Sequence, residues 1–188
     1  MATYTIIGGV NGVGKSTMLG VLSEQLHDRL GIIVDTDKLI RSAGSRVGGS
    51  RIAIAKLNAA LYAGRNFTQE TTLSSRQVLT TARTAKRLGY TVALNYISID
   101  DIGVIKARVA NRVRLGGHGI PDEDVERRFG SRIDNVTAVL AYCDYAEFYD
   151  NLAGFRIVGS YSNGVLMSAQ TSDTNVPSAF WDMLTAHA

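Results

Sequence analysis

The chain opens on a short apolar run, Tyr4-Thr5-Ile6-Ile7, which suits a buried strand. After a glycine-rich stretch, Met18, Leu22, Leu26 and Leu30 recur at i+4 and mark one face of a helix beginning near Lys15. Gly31 stands where a helix C-cap glycine would. Ile32-Ile33-Val34 then reads as a second buried strand, ending in Asp35-Thr36-Asp37, and Lys38 to Arg41 starts a short helix. Ser42 to Ser50, rich in small residues and glycine, reads as a mobile connection. The next helix spans Ile52 to Ala63, with Ile54, Leu57, Ala60 and Leu61 on one side and Gly64 as its stop.

The pattern then repeats. Phe67 to Leu73 is a third strand running into a polar turn, where Ser74 or Ser75 can cap a helix that turns Val78, Leu79, Ala82 and Ala85 inward. Thr91 to Ile99 is mostly apolar, as in strands buried on both faces of a parallel sheet. Asp101 to Arg114 is helical with a stripe of Ile105, Val109 and Val113, and Gly116 to Pro121 breaks it. A helix from Asp122 runs through the 130s towards Tyr142, and Glu147 to Asp150 is a fifth strand. Phe155 to Gln170 reads as a hairpin around Ser162-Asn163-Gly164, and Val176 to Ala188 as a closing helix packed through Phe180, Trp181 and Leu184.

Strands alternating with helices predict an α/β fold: a parallel sheet of about five strands with helices on both faces, then a C-terminal β-hairpin and helix. At 188 residues the length fits a single domain over 1–188. In such sheets ligands sit at the carboxyl ends of the strands, and the glycine loop, Asp37 and Glu70 all fall there.

Composition adds boundaries. The hydrophobic share of 45% and charged share of 20% are those of an ordinary globular chain. One cysteine, Cys143, excludes an internal disulfide and fits a reducing cytosol. No apolar run reaches the roughly 20 residues of a membrane span, and no signal peptide is expected. The expected location is cytoplasmic. The net charge of +3 is mild and fits a protein that handles phosphates; nucleic acid is not expected as a partner. The distribution is more telling, because seven of the 20 Lys and Arg lie between Lys106 and Arg132.

The glycine-rich stretch carries the chemistry. Gly9-Val10-Asn11-Gly12-Val13-Gly14-Lys15-Ser16-Thr17 matches G-x-x-x-x-G-K-[ST], a phosphate-binding P-loop with a strand before it and a helix after it. The glycines let successive backbone N–H groups turn onto an anion. Lys15 reaches the β- and γ-phosphates of a nucleotide, and the Ser16 hydroxyl ligates Mg²⁺. The nucleotide-binding candidates are therefore Gly9, Asn11, Gly12, Val13, Gly14, Lys15, Ser16 and Thr17.

Phosphoryl transfer also needs a group to orient the attacking atom and cations for the developing charge. Of Asp35 and Asp37, one can take the proton of an attacking hydroxyl and the other can hold a Mg²⁺-bound water; Asp35 can equally cap the helix that follows. Glu70 can accept hydrogen bonds from a substrate's hydroxyl or amide groups. Arg108 and Arg112 share a helix face, and Arg114, Arg127, Arg128 and Arg132 follow across the glycine break, so residues 106–132 could close as a lid. Arginine suits phosphate because its planar fork bonds bidentately. His118 sits in the break, where a hinge, phosphate or substrate contact fits better than a metal, since neither His27 nor His187 is near it in sequence.

Together the P-loop 8–17, Asp35-Thr36-Asp37, Glu70-Thr71-Thr72-Leu73-Ser74, and Arg112-Val113-Arg114-Leu115-Gly116-Gly117-His118 with Pro121 and Arg127-Arg128 resemble, in that order, the zeta toxin family of P-loop kinases. The resemblance covers roughly residues 4 to 151, and Tyr149-Asp150-Asn151 resembles the family's closing strand. It implies a P-loop NTPase fold similar to nucleoside and shikimate kinases. It also implies ATP as phosphate donor, with a UDP-sugar such as UDP-N-acetylglucosamine among the acceptors, and a possible antitoxin protein as partner. By the same resemblance Asp37 matches the general base and Glu70 the acid that binds the sugar, with Thr71 and His118 as further acceptor contacts. Lys15, Arg112 and Arg128 match the cations over the phosphates. The compact connection from Asp37 to Glu70 departs from the longer insertions of the familiar toxins.

The competing reading is a P-loop NTPase switch or ATPase acting with a protein or nucleic-acid partner. Against it, no apolar strand ends in an Asp-Glu pair. Asp100-Asp101 follows the fourth strand without a glutamate to activate water.

Overall fold

The structure, a computed structural model, describes residues 1–169 and 178–187. Among the described residues, fifteen elements follow in chain order. They open with β1 (Thr3–Gly8), α1 (Lys15–Leu30), β2 (Ile32–Asp35), α2 (Thr36–Ser42) and α3 (Arg46–Tyr62). The middle of the chain forms β3 (Phe67–Thr71), α4 (Arg76–Arg87), β4 (Thr91–Ser98), α5 (Ile102–Arg114) and α6 (Asp122–Gly130). It closes with α7 (Arg132–Leu140), β5 (Tyr145–Asp150), β6 (Arg156–Ser162), β7 (Val165–Ser168) and α8 (Ala179–His187).

The strands form one sheet in the order β2-β3-β1-β4-β5-β6-β7. The first five are parallel, and β6 and β7 join antiparallel. The expected hairpin is present, turning through left-handed Asn163 and Gly164. It extends the main sheet to seven strands rather than standing apart from a sheet of five. The chain leaves β1 towards β2 on one side and leaves β4 towards β5 on the other. The β1/β4 boundary is thus a topological switch point, where a ligand crevice opens at the strands' carboxyl ends.

Each face of the sheet is covered by helices. One core joins Tyr4, Ile6, Leu57, Val78, Leu94 and Phe148 with Phe180 and Trp181 of α8. The other joins Ile7, Val10, Val13, Met18, Ile97 and Ile105. Gly159 lies flat beneath Trp181, whose ring stands 2.3 Å from where a Cβ would be. Among the described residues no helix is long and apolar enough to cross a membrane.

Five local expectations need correction. Residues 42–50 are not a mobile connection. Ser45 caps α3 by accepting from Gly48 N at 3.0 Å, and the helix starts at Arg46. Glycine is a poor helix former, but a Cβ on Gly49 would lie 2.2 Å from the Ile40 Cα, so glycine is what lets α2 and α3 pack this closely. The helix after Pro121 is broken at Ser131 into α6 and α7. Leu26 leaves the apolar face of α1 because the helix kinks there (φ −130°), and its side chain is exposed. Val113 is exposed because the end of α5 projects beyond the core. β2 is a sheet edge, not a strand buried on both sides, and Ile33 faces outward. The predicted hairpin end at Gln170 and helix start at Val176 lie outside the described residues.

Candidate active site

The P-loop leaves β1 through Gly9 (φ +146°), which passes against the backbone of β4; a Cβ there would stand 2.4 Å from the Ile97 carbonyl oxygen. Gly12 (φ +85°) lies under α5, 2.9 Å from the Ile105 carbonyl oxygen by the same measure. Gly14 (φ +103°) is the N-cap of α1. The loop's shape is thus dictated by contacts with two other elements as well as by its own glycines. Val13 turns its side chain into the core, and its carbonyl accepts from Asn151 Nδ2 at 2.8 Å. Gly9 and Val13 therefore shape the loop rather than line the cavity.

That cavity, of about 510 Å³, is lined by Asn11, Gly12, Gly14, Lys15, Ser16 and Thr17 together with Asp35, Asp37, Glu70, Arg108 and Arg112. The N-terminal end of α1 faces it, which favours an anion. Lys15 is buried, and its Nζ donates to the Val10 carbonyl at 3.1 Å. Burial pulls the Lys15 ammonium below its ordinary value, while the Glu70 and Asp37 carboxylates oppose that shift.

Glu70, one residue before the end of β3, lies directly across from Asp35 on β2. It is buried at 8% exposure, and Ser16 Oγ donates to its two carboxylate oxygens at 3.0 and 3.2 Å. Burial raises the Glu70 carboxyl above its ordinary value; Lys15 and the Ser16 hydrogen bond pull it down, and Asp35 adds to the rise. Asp35 Oδ1 accepts from Lys38 N at 2.9 Å as the N-cap of α2, so it does cap the helix, and it also lines the cavity. Asp37 lies in the first turn of the same helix with its side chain exposed to the cavity.

A second cavity, of about 410 Å³, opens beside the first. Its apolar wall is Ile40, Ala53, Ile54 and Leu57, and facing it are hydrogen-bonding groups of Gln69, Thr71, Thr72, Ser74, Ser75 and Gln77. The two cavities share Asn11, Asp37, Arg41, Glu70, Arg112 and His118.

The cationic cluster divides. α5 crosses the P-loop at Ile105, so Arg108 and Arg112, on later turns, reach over the first cavity. Arg108 also donates through Nη2 to the Leu152 carbonyl at 3.0 Å. Arg128 lines the second cavity and donates through Nη1 to Asn11 Oδ1 of the P-loop. Arg114 turns to Asn111 of its own helix at 2.7 Å and Arg127 to Asp124. Arg132 is buried, with its guanidinium on the Phe129 ring and Nη1 donating to the Phe129 carbonyl. Lys106 joins α5 to α6 by pairing with Asp122 and Glu126. Gly117 N donates to the Arg112 carbonyl at 2.8 Å, and this tight C-terminal turn sets His118 beside both cavities.

Thr71 lines only the second cavity, and its hydroxyl accepts from Leu73 N at 3.1 Å. The acids after β4 are both helix caps: Asp101 for α5 and Asp100, through Phe180 N at 2.9 Å, for α8. Several lining residues had no part in the sequence reading. Arg41 carried a signal, since it lies four residues after Asp37 on the same helix and so on the same face. Gln69 carried none, because only folding brings it to the second cavity. Asn151, read only as part of the closing strand, lines neither cavity but holds the Val13 carbonyl of the loop.

No protein-family model matches the chain. An uncharacterized protein of Haemophilus influenzae is 32% identical over 127 residues, which span 64% of this chain and 88% of that protein. The chain belongs to the family of that protein. Among solved structures, a chain from the PezAT chromosomal toxin-antitoxin system of Streptococcus pneumoniae aligns with a TM-score of 0.61 at 18% identity. That alignment covers 98% of this chain and 77% of that one. The AvrRxo1-ORF1:-ORF2 structure with ATP aligns at 0.68 with 14% identity, over 98% of this chain and 64% of that one, so this chain spans less than two thirds of that protein. The fold is that of the zeta toxin-like P-loop kinases.

Proposed function

We propose that the chain is an ATP-dependent kinase that transfers the γ-phosphoryl group onto a hydroxyl of a small metabolite. The observation that carries this reading is the shared wall. A phosphate-type cavity and a mixed apolar and neutral polar cavity meet at Asp37, Glu70 and Arg112. A hydroxyl in the second cavity would face a γ-phosphate in the first across that wall.

The chemistry balances with groups in hand. The acceptor oxygen attacks phosphorus, the bond from phosphorus to the β–γ bridging oxygen breaks, and ADP leaves with that oxygen. Asp37 takes the hydroxyl proton. The P-loop N–H groups and Lys15 hold the phosphates, and Arg112 and Arg128 meet charge as it spreads over the transferring group. Magnesium fits the site. Mg²⁺ is usually held by one or two carboxylates and the substrate's phosphates, and Ser16 Oγ lies against the Glu70 carboxylate with Asp35 lining the same cavity. Ser16 would bind the ion, with Glu70 and Asp35 holding its waters; the ion would neutralise phosphate charge.

The compact second cavity takes a hydroxyl-bearing metabolite, and a UDP-sugar is the first acceptor to test. The likeness to a toxin-antitoxin chain supports an antitoxin protein as partner, and the use of ATP supports a cytoplasmic location. The test is incubation with labelled ATP and a metabolite extract that includes UDP-sugars, with the labelled product identified by mass. A labelled metabolite that disappears with Asp37→Asn supports the reading. ATP hydrolysis stimulated by nucleic acid, with no labelled metabolite, would replace it with an NTPase module.

A further inference from the structure

Arg41 stands in the last turn of α2, outside the cationic run of residues 106–132, and lines both cavities. The wall that the cavities share carries two carboxylates, Asp37 and Glu70, and two guanidiniums, Arg41 and Arg112. The other arginines near the site are engaged. Arg108 donates to the Leu152 carbonyl, Arg114 to Asn111, Arg127 to Asp124 and Arg128 to Asn11. Among the described residues, Arg41 and Arg112 make no ion pair and no side-chain hydrogen bond. Arg41 does not pair even with Asp37, four residues before it, although that spacing brings opposite charges together on a helix. Its donors are left for a ligand.

The backbone that carries Arg41 is held on two sides. Asp35 caps α2 through Lys38 N at 2.9 Å, and Gly49 of α3 lies against the Ile40 backbone. Helical side chains lean towards the N-terminus of their helix, which turns Arg41 back towards Asp37 and the shared wall. Strand order decides the direction of approach. The P-loop follows β1; β2 lies beyond β3 on one side of it, and β4 is its neighbour on the other. α2 follows β2 and α5 follows β4, so Arg41 and Arg112 reach the wall from opposite sides of the P-loop.

We infer that Arg41 is a further catalytic residue, whose guanidinium meets the transferring phosphoryl group from the acceptor side, opposite Arg112. The inference rests on the kinase reading of the two cavities. As the acceptor oxygen bonds to phosphorus and the bridging oxygen leaves with ADP, charge spreads over the three non-bridging oxygens. Asp37 takes the hydroxyl proton, and Arg41 keeps its own protons and donates hydrogen bonds alone. One planar fork bonds two oxygens at most, so Arg112 from one side leaves charge that a second fork from the other side can meet. Asp37 and Glu70 sharpen the need, because they set two carboxylates beside the same group. A residue that only held the acceptor would line the second cavity alone, as Arg128 does; Arg41 lines both.

The test reads the transition state directly, with no acceptor identified. ADP with aluminium fluoride and magnesium presents a mimic of the transferring group, and its binding to the full-length protein is measured by calorimetry beside that of ATP. Arg41→Ala should weaken the fluoride complex by about 10²-fold, the scale of one charge-stabilising donor, while ATP affinity stays within about twofold. Arg41→Lys, which keeps the charge without the fork, should recover about a tenth of the parent's affinity. Lys38→Ala removes a cation from the same helix that lines neither cavity, and should leave both affinities within about twofold. Arg41 is exposed, so its variants should fold, which a denaturant melt verifies. In the metabolite extract, label transfer by Arg41→Ala should fall by one and the same factor at full strength and after dilution. A deficit that shrinks as the extract is concentrated would make Arg41 an acceptor-binding group and overturn the inference. Equal losses for ATP and the fluoride complex, or no loss for either, would overturn it too. A parent protein that transfers no label and binds the fluoride complex no better than ADP would instead overturn the kinase reading, and this inference with it.

Discussion

The first cavity takes six of its lining residues, Asn11, Gly12, Gly14, Lys15, Ser16 and Thr17, from one short run of chain. The second takes its apolar wall from α2 and α3, its polar wall from β3 and the turn into α4, and Arg128 from α6. Backbone N–H groups and a helix end build the first, so a local motif suffices to describe it. The second is built from side chains, each placed by a different packing contact. On the proposed function, the contrast is between a site for something every ATP user binds and a site for what this protein alone must choose.

The largest expected effect tests the wall between them. Asp37→Asn should slow phosphoryl transfer by about 10³-fold, the scale of a lost general base, while ATP affinity, measured by calorimetry, changes by less than about twofold. Loss of ATP binding in that variant would mean that Asp37 belongs to the first cavity alone.

The division among the arginines comes next. Arg112→Ala should lower kcat by about 10²-fold, as expected for one charge-stabilising donor. Arg114→Ala, two residues further on but turned to Asn111, should leave kcat within about twofold. Equal losses would show that the overall charge of the arginine cluster, and not the placement of one guanidinium, is what matters.

Gly49→Ala separates the cavities by packing. Its Cβ would overlap the Ile40 backbone and push α2 from α3. A stability loss of about 1–3 kcal/mol is expected from such overpacking. The acceptor KM should rise while the ATP KM stays put, because α3 lines only the second cavity.

The smallest effect lies away from both cavities and serves as a control. Asp144 accepts from Lys86 Nζ at 2.5 Å and Val92 N at 2.8 Å, joining α4 to the start of β4. Partial burial alone would raise its carboxyl, but the Lys86 hydrogen bond, the Val92 N–H and the Lys86 charge together hold it below the ordinary value. A depressed folded pKa gives stability that is present above the unfolded value and lost as pH falls through the folded one. Asp144→Asn should thus cost about 1–2 kcal/mol at neutral pH, with the difference from the parent shrinking below about pH 4. Denaturant melts at several pH values would check this, and both KM values should be unmoved.

The first cavity was largely legible in the chain's letters. The spacing of Gly9, Gly14, Lys15 and Ser16, with a strand before and a helix after, described it closely. Asp35 and Glu70 were legible as strand ends but not as neighbours. Their pairing across β2 and β3, and the contact of Glu70 with Ser16, follow from strand order. Glu70 had been read as a sugar-binding acid, and the structure sets it equally against the Ser16 hydroxyl of the P-loop. The arginines of residues 106–132 looked alike in sequence. They separate only when α5 is laid across the P-loop and Arg132 is drawn under Phe129. Residues 42–50 misled because small residues serve loops and close helix packing equally well.

By itself the sequence determined the order of strands and helices and the phosphate-binding loop. Both rest on contacts between residues near one another in the chain. Tertiary structure alone decided that β1 lies between β3 and β4, that Asn151 pins Val13, and that Tyr4 meets Gln69. The physical reason is that a side chain's direction and hydrogen-bond partner depend on neighbours tens of residues away, such as Tyr4 against Gln69, and no local pattern encodes that pairing.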